Sequence, residues 1–457
     1  MSSQVLFQVS RLALSLALAR LLTPREYGIA GMVLVFSTLV IPFADAGLGA
    51  ALVQRRRLSV ADTATAFWTS VAAGGAFTLV GIWSASHLAA FYGEPEVEPL
   101  FQVLSLSFVI TSLGSTHRSL LVRTIDFRNL ELRLVLALAI AAPTALVIAA
   151  RGHGAWALVT LEVTTASVST LLLWTLSPWR PTLGFSWASF RSLGAYGGNV
   201  LGSRLLADVT QMADKLLIGR FLGAAPLGTY ALSYNIVLSP FSRFVSPIQE
   251  VLFPGFSHMQ EDLGRMGAAW LRATRLVAAI SLPLTFGLVA VAPDFVTIVL
   301  GERWKDTARI VQVLAFVGLL QAVQGLNQTL LQAAGRTATL IRFSLVATTV
   351  NVIAFVIGLT WGPIGVAAAY AISSTILFLF YTSIAGRVAN ISMVTFAQSL
   401  SGIFQASVLM LICVATARAL FIHEGVAAGI RLPILVVLGV AAFAGALIWR
   451  TPDLIDD

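Results

Sequence analysis

TATLIRFSLVATTVNVIAFVIGLTWGPIGVAAAYAISSTILFLFYTSIAG, residues 337–386, contains a single charged side chain, Arg342. The stretch divides at Trp361-Gly362-Pro363 into two apolar runs, 337–360 and 363–386. Each is long enough to cross a hydrocarbon core of about 30 Å as a helix. Inside lipid the backbone must satisfy its own hydrogen bonds, which a helix of this length does within one segment.

The same pattern extends outward to both ends. Apolar segments fall at approximately 4–22, 28–53, 64–91, 99–122, 132–150, 154–176, 190–222, 226–253, 270–292, 308–332, 337–360, 363–386, 396–419 and 430–449. The expected fold is therefore an all-α polytopic membrane protein with about 14 transmembrane helices. Connections do not exceed about twenty residues, which leaves no room for a large extramembrane domain. Of the 457 residues 57% are hydrophobic and 11% charged, against about 25% charged in soluble domains.

The net charge of +8 is spread over alternate loops rather than gathered as a nucleic-acid footprint, so no nucleic-acid partner is expected. With both termini cytoplasmic, 16 Lys and Arg residues lie inside and nine outside, the bias of the positive-inside rule. The acidic stretch Glu94-Pro95-Glu96-Val97-Glu98 falls outside. Cys413, the one cysteine, lies in an apolar run, which excludes a disulfide framework and a cysteine metal site. Val5 to Leu22 runs straight into further helices without a small-residue cleavage site.

An internal repeat is present. Ala-Arg-Leu-Leu-Thr-Pro-Arg-Glu-Tyr-Gly around Arg20 and Gly-Arg-Phe-Leu-Gly-Ala-Ala-Pro-Leu-Gly around Arg220 align without a gap, pairing Arg20, Leu22 and Gly28 with Arg220, Leu222 and Gly228. Both stretches form the turn after the first helix of a half. Six intervening helices give the copies the same orientation, the pattern of parallel halves about an axis along the membrane normal with a cavity between them.

Signatures of catalysis are missing: there is no G-x-x-x-x-G-K, no H-E-x-x-H and no nucleophile elbow. An enzyme is not expected, nor a cofactor or metal. Ionisable groups at membrane depth are the informative residues. Arg11, Arg204, Lys215 and Arg243 lie within predicted spans and would together cost ~10–14 kcal/mol if unpaired, so they should face a polar cavity or pair. Arg204, Asp208, Gln211 and Lys215 follow i, i+4, i+7, i+11 spacing, which keeps them within about a 60° arc of the seventh helix, with Asp214 to one side. This stripe reads as cavity-lining, which intrahelical pairing does not exclude. Arg11 and Asp45 form a second candidate pair. Arg243 and Glu250 lie seven residues apart on the eighth helix, where Glu250 reads as an interfacial group near the cytoplasmic end. Pro240, Pro247 and Pro254 predict a bend there. Gln321, Gln324, Gln328 and Gln332 share one face of the tenth helix and can bind sugar hydroxyls or join helices. Gly194, Gly198 and Gly202 have close-packing spacing.

Leu18-Ala19-Arg20-Leu21-Leu22-Thr23-Pro24-Arg25-Glu26-Tyr27-Gly28 and Asp45-Ala46-Gly47-Leu48-Gly49-Ala50-Ala51-Leu52-Val53-Gln54 resemble the opening of bacterial oligosaccharide flippases, the polysaccharide-transporter branch of the multidrug/oligosaccharidyl-lipid/polysaccharide (MOP) exporter superfamily. Asp214 to Gly223, Phe253 to Ser257, Gly301 to Trp304 and Leu331 to Arg336 resemble later landmarks in the same order. Members usually begin several residues before the first helix, a lead almost absent here, so the first helix or its anchor is expected to be incomplete.

The resemblance implies two pseudo-symmetric six-helix lobes, residues 1–180 and 181–390, and a terminal helix pair with a cytoplasmic tail, 391–457. It implies transport of a polyprenyl-pyrophosphate-linked oligosaccharide across the bacterial inner membrane, for exopolysaccharide, capsule or O-antigen assembly. Membrane lipids and glycan polymerase machinery are the other expected partners. On this reading Arg11, Arg204, Gln211, Lys215, Arg243, Gln324 and Gln328 bind substrate. Asp45, Asp208 and Asp214 couple transport to protons or sodium. A lipid-linked peptidoglycan precursor, or a drug exported by the same architecture, is the alternative cargo.

Overall fold

The structure, a computed structural model, describes residues 2–44, 47–55 and 57–450; the side chains of 2–6, 38–44, 127, 195, 196, 198–211, 242–244 and 337 are not among those described. Fifteen α-helices occupy the described residues. They are α1 (Ser2–Leu21), α2 (Pro24–Ala44), α3 (Leu48–Gln54), α4 (Val60–Tyr92), α5 (Val97–Arg123), α6 (Phe127–Ala150), α7 (Trp156–Leu176), α8 (Trp187–Phe221), α9 (Ala224–His258), α10 (Leu263–Phe295), α11 (Thr307–Ala333), α12 (Thr337–Gly358), α13 (Gly362–Val388), α14 (Met393–His423) and α15 (Ala428–Arg450). The longest have 33 to 35 residues, about 50 Å of helix, enough to cross the core and reach both headgroup layers. The fourteen expected segments correspond to these fifteen helices because the second, 28–53, is interrupted. Gly47 takes the left-handed conformation (φ 66°) and starts α3. A Cβ at Gly47 would lie 2.2 Å from the carbonyl oxygen of Gly197, so only glycine fits there.

The helices are divided between two compact units, Met1–Gly228 and Thr229–Asp457, and α9 begins in the first. Within the first unit α8 packs against α2, α3 and α4. Gly197 makes a close approach on α8, while a Cβ at Gly194 would meet open space; Gly198 and Gly202, the other two positions of the expected close-packing series, lie outside the residues whose side-chain positions are described. The α4–α5 seam shows why the helices can approach. Gly74 and Gly81, seven residues apart, face Ser112 and Ser105, also seven apart, and a Cβ at either glycine would sit 2.4 or 2.2 Å from the serine oxygen. Thr78 between them donates to the carbonyl of Ser105 at 2.9 Å and accepts from the Val109 amide at 3.2 Å. In an apolar solvent such small residues and hydroxyl bridges are what hold helices together.

In the second unit α9 and α11 run parallel: Gly318 lies under the Phe241 ring and Gly325 under the Gln249 amide. α9 remains helical through Pro240, Pro247 and Pro254. A buried chain of hydrogen bonds ties α10, α11 and α13: Trp270 Nε1 donates to Asn327 Oδ1 at 3.2 Å, and Asn327 Nδ2 donates to Thr382 Oγ1 at 3.0 Å. α14 and α15 pack on α10 through a core that includes Leu282, Phe286, Ile403, Met410 and Leu435.

Candidate functional site

The glutamine row of α11 divides by depth. Gln321 Nε2 donates to the Tyr370 hydroxyl of α13 at 2.8 Å, so this amide joins helices. Gln324 is half-buried, while Gln328 and Gln332 are exposed. These last two line a pocket of about 450 Å³ between α11 and α9, together with Thr329 on the same helix. Across from them α9 contributes Ser246, Gln249, Glu250 and Phe253.

Two glycine and proline features shape this pocket. Gln249 donates through Nε2 to the carbonyl oxygen of Gly325 at 2.7 Å, which clamps α9 to α11. A Cβ at Gly325 would lie 2.8 Å from that same nitrogen, so the glycine is what allows the clamp. Pro254 has no N–H, so the carbonyl of Glu250, four residues earlier, lacks its helical donor and is available to a ligand or water. The pocket thus offers amide donors and acceptors, two hydroxyls, a carboxylate and one aromatic ring. Polyhydroxylated ligands use this set.

Of the residues chosen from sequence, the structure places Gln328 in the pocket and Gln324 one turn before it on α11. Arg11 is exposed on α1. Lys215 is half-buried, and Asp214 beside it is 2% exposed with its carboxylate accepting the Lys215 amide at 2.7 Å. Asp45 lies outside the described residues, as do the side chains of Arg204, Asp208, Gln211 and Arg243. Glu250, read from sequence as an interfacial group, belongs to the pocket lining. Ser246, Gln249 and Phe253 were not singled out. Nothing local in the sequence marks these three; Pro254 signals only the unpaired carbonyl of Glu250.

A buried charge cluster also escaped the sequence reading. Asp294 on α10 is 3% exposed. Arg418 Nε of α14 donates to its Oδ2 at 2.6 Å, and Arg431 Nη2 of α15 donates to its Oδ1. One acid thus fastens both terminal helices to α10.

Residues 17–309 match a family model described as "Polysaccharide biosynthesis protein". Over 422 residues the chain is 28% identical to the teichuronic acid biosynthesis protein TuaB of Bacillus subtilis, covering 92% of this chain and 87% of that protein. Over 373 residues it is 28% identical to the lipopolysaccharide biosynthesis protein WzxC of Escherichia coli, covering 79% and 75%. Among solved structures it matches the lipid II flippase MurJ in an inward closed conformation, with a TM-score of 0.81 at 15% identity over 99% of this chain and 98% of that one. It also matches an inward-facing multidrug resistance MATE transporter of the MOP superfamily, with a TM-score of 0.66 at 15% identity over 84% and 96%. At these identities the two structures establish the fold. The resemblance to the polysaccharide-transporter branch of that superfamily, read from residues 18–28, 45–54 and the later landmarks, is borne out.

Proposed function

The chain belongs to the polysaccharide biosynthesis protein family, and on that premise we propose that it is a flippase that moves a polyprenyl-pyrophosphate-linked oligosaccharide across the bacterial inner membrane by alternating access. The observation that carries this reading is the α9–α11 pocket, an amide- and hydroxyl-lined space of about 450 Å³ between membrane-spanning helices. The lining is largely exposed near the ends of the two helices, and its amides and hydroxyls can donate to and accept from sugar hydroxyls.

In this mechanism the lipid tail stays in the bilayer while the head group crosses. Arg11, Arg204, Lys215 and Arg243 grip the pyrophosphate, because guanidinium groups bind phosphate oxygens through paired, charge-assisted hydrogen bonds. Gln211, Gln324 and Gln328 hold the sugars. Asp45, Asp208 and Asp214 carry the coupling proton or sodium ion. Both termini are cytoplasmic, as the distribution of Lys and Arg suggests. On this reading the functional lobes are residues 1–180 and 181–390, followed by the terminal pair. A lipid-linked peptidoglycan precursor has the same anionic linkage; the names of the two relatives support the polysaccharide cargo instead.

The test is a proteoliposome assay with a fluorescent polyprenyl-pyrophosphate oligosaccharide and a membrane-impermeant quencher. Accelerated loss of signal that Arg204→Ala and Lys215→Ala abolish is the expected result. No acceleration under any ion gradient, with folded protein confirmed, would refute the cargo.

A further inference from the structure

We propose that Arg118 and Arg133 form a phosphate site beside the α5–α6 turn, and that it holds the headgroup of an anionic phospholipid. The inference concerns the first compact unit alone and does not rest on the flippase reading.

Residues 118–133 carry Arg118, Arg123, Arg128 and Arg133 against two acids, Asp126 and Glu131. The stretch folds as the end of α5, a short turn and the start of α6. Arg118 lies five residues before the end of α5 and Arg133 six after the start of α6. Both therefore stand at one level, roughly 8–9 Å along the helices from the turn.

Other charges of the stretch are already spent. Arg123 donates to the carbonyls of Leu52 and Val53 at 3.0 and 3.3 Å and to that of Arg55. Asp126 accepts from the Asn129 amide at 3.2 Å and from Asn129 Nδ2 at 2.7 Å. Arg133 is different. It is 8% exposed, yet among the described residues its one hydrogen bond runs from Nε to the Leu130 carbonyl of its own helix, at 3.3 Å. It enters no ion pair with the described residues. Glu131 is near enough to attract its charge without touching it, and Arg118 is near enough to repel it.

A buried guanidinium with no carboxylate against it is costly, and a second cation nearby adds to the cost. An anion shared by the two removes both penalties. The Nη atoms of Arg133 are not among the enclosed polar atoms that lack a partner, so this edge of the guanidinium reaches the surface. Arg118 is exposed beside it. Two guanidinium groups at one level suit the oxygens of a phosphate. The surface next to them is apolar. Leu132, Leu136 and Ile140, spaced i, i+4 and i+8 along α6, are 42%, 40% and 51% exposed, a stripe that acyl chains can cover. A lipid whose tails follow this stripe brings its phosphate to the arginine pair. An anionic headgroup leaves its whole charge to the pair, whereas a zwitterionic one carries an ammonium of its own.

The experiment titrates the full chain in detergent with dioctanoyl phosphatidylglycerol, dioctanoyl phosphatidylcholine or inorganic phosphate, and counts bound ligand by native mass spectrometry. The parent should bind the glycerol lipid about tenfold more tightly than the choline lipid, the scale of a charge-assisted hydrogen bond. Arg133→Met and Arg118→Gln should each bring that ratio close to one. Arg128→Gln, at an exposed arginine of the same stretch, should leave it unchanged. Phosphatidylglycerol should also raise the melting temperature of the parent and not that of Arg118→Gln, which keeps the test decisive if Arg133→Met does not fold. Equal binding of the two lipids by the parent overturns the proposal. A loss with Arg128→Gln as large as with Arg118→Gln overturns it too, since surface charge in general would then be the cause. Displacement of the glycerol lipid by inorganic phosphate would assign the site to a free anion and overturn the lipid assignment.

Discussion

Gly28 and Gly228 lie against each other and are equivalent positions of the internal repeat. A Cβ on Gly28 would sit 1.7 Å from the carbonyl oxygen of Ala224, and a Cβ on Gly228 would sit 1.9 Å from that of Pro24. Residue 24 corresponds to 224 as 28 does to 228, so the contact maps onto itself when residues 200 apart are exchanged. The crossing of α2 with the start of α9 is therefore locally twofold, and it is built on the absence of two side chains.

That relationship predicts a shared cost. Gly28→Ala and Gly228→Ala each force backbone against backbone, which no rotamer change relieves, and each should destabilise by about 2–3 kcal/mol or more. Both probe one crossing, so the double variant should fall well short of the sum. Thermal unfolding of the three purified variants in detergent checks this. Melting temperatures equal to the parent's would show that the crossing is not close-packed.

The Asp294 cluster predicts asymmetry between its members. Asp294→Ala leaves Arg418 and Arg431 facing each other in a buried place and should cost roughly 3–5 kcal/mol. Arg418→Met leaves Asp294 with Arg431 and should cost less. Limited proteolysis in the loop between α14 and α15, together with melting curves, reads both effects. Equal stability of Asp294→Ala and the parent would mean the terminal pair is held by apolar packing alone.

Arg25 joins the start of α2 to the α4–α5 loop by bonds of 2.6 Å to Glu94 and 2.8 Å to Glu96. Its side chain is half-exposed, so solvent and salt screen the pair. Arg25→Ala should lower stability by no more than about 1 kcal/mol, and by less at high ionic strength. A larger loss, insensitive to salt, would assign Arg25 another role.

Gly325→Ala should displace Gln249 and open the clamp between α9 and α11. Gln328→Ala removes an amide from the same pocket and leaves the clamp intact. Each should slow glycan flipping by about tenfold, the equivalent of one or two lost hydrogen bonds, with the fold retained for Gln328→Ala. Parent-like flipping by both variants would place the sugar elsewhere.

The sequence was most informative where the solvent dictates structure. Runs of apolar residues must become helices in lipid whatever they pack against, so the spans were readable one by one. The repeat around Arg20 and Arg220 was also readable, and it aligns Gly28 with Gly228, the pair that the structure brings into contact. The break at Gly47 was not readable: the backbone that leaves no room for a side chain there belongs to Gly197, 150 residues away. The α11 amides were visible as a row, but nothing local separates Gln321, committed to Tyr370, from Gln328 and Gln332 in the pocket. Asp294 and its two arginines are spread over three helices, and pairing at such separation leaves no local pattern.

By itself, then, the sequence determined an all-helical, many-spanning membrane protein with duplicated halves, because length, apolarity and repetition are properties of one segment or of two aligned ones. Only the tertiary structure decided which polar groups join helices, which lock the terminal pair, and which line the pocket between α9 and α11. A side chain in lipid is defined by the partner that satisfies it, and that partner lies on another helix.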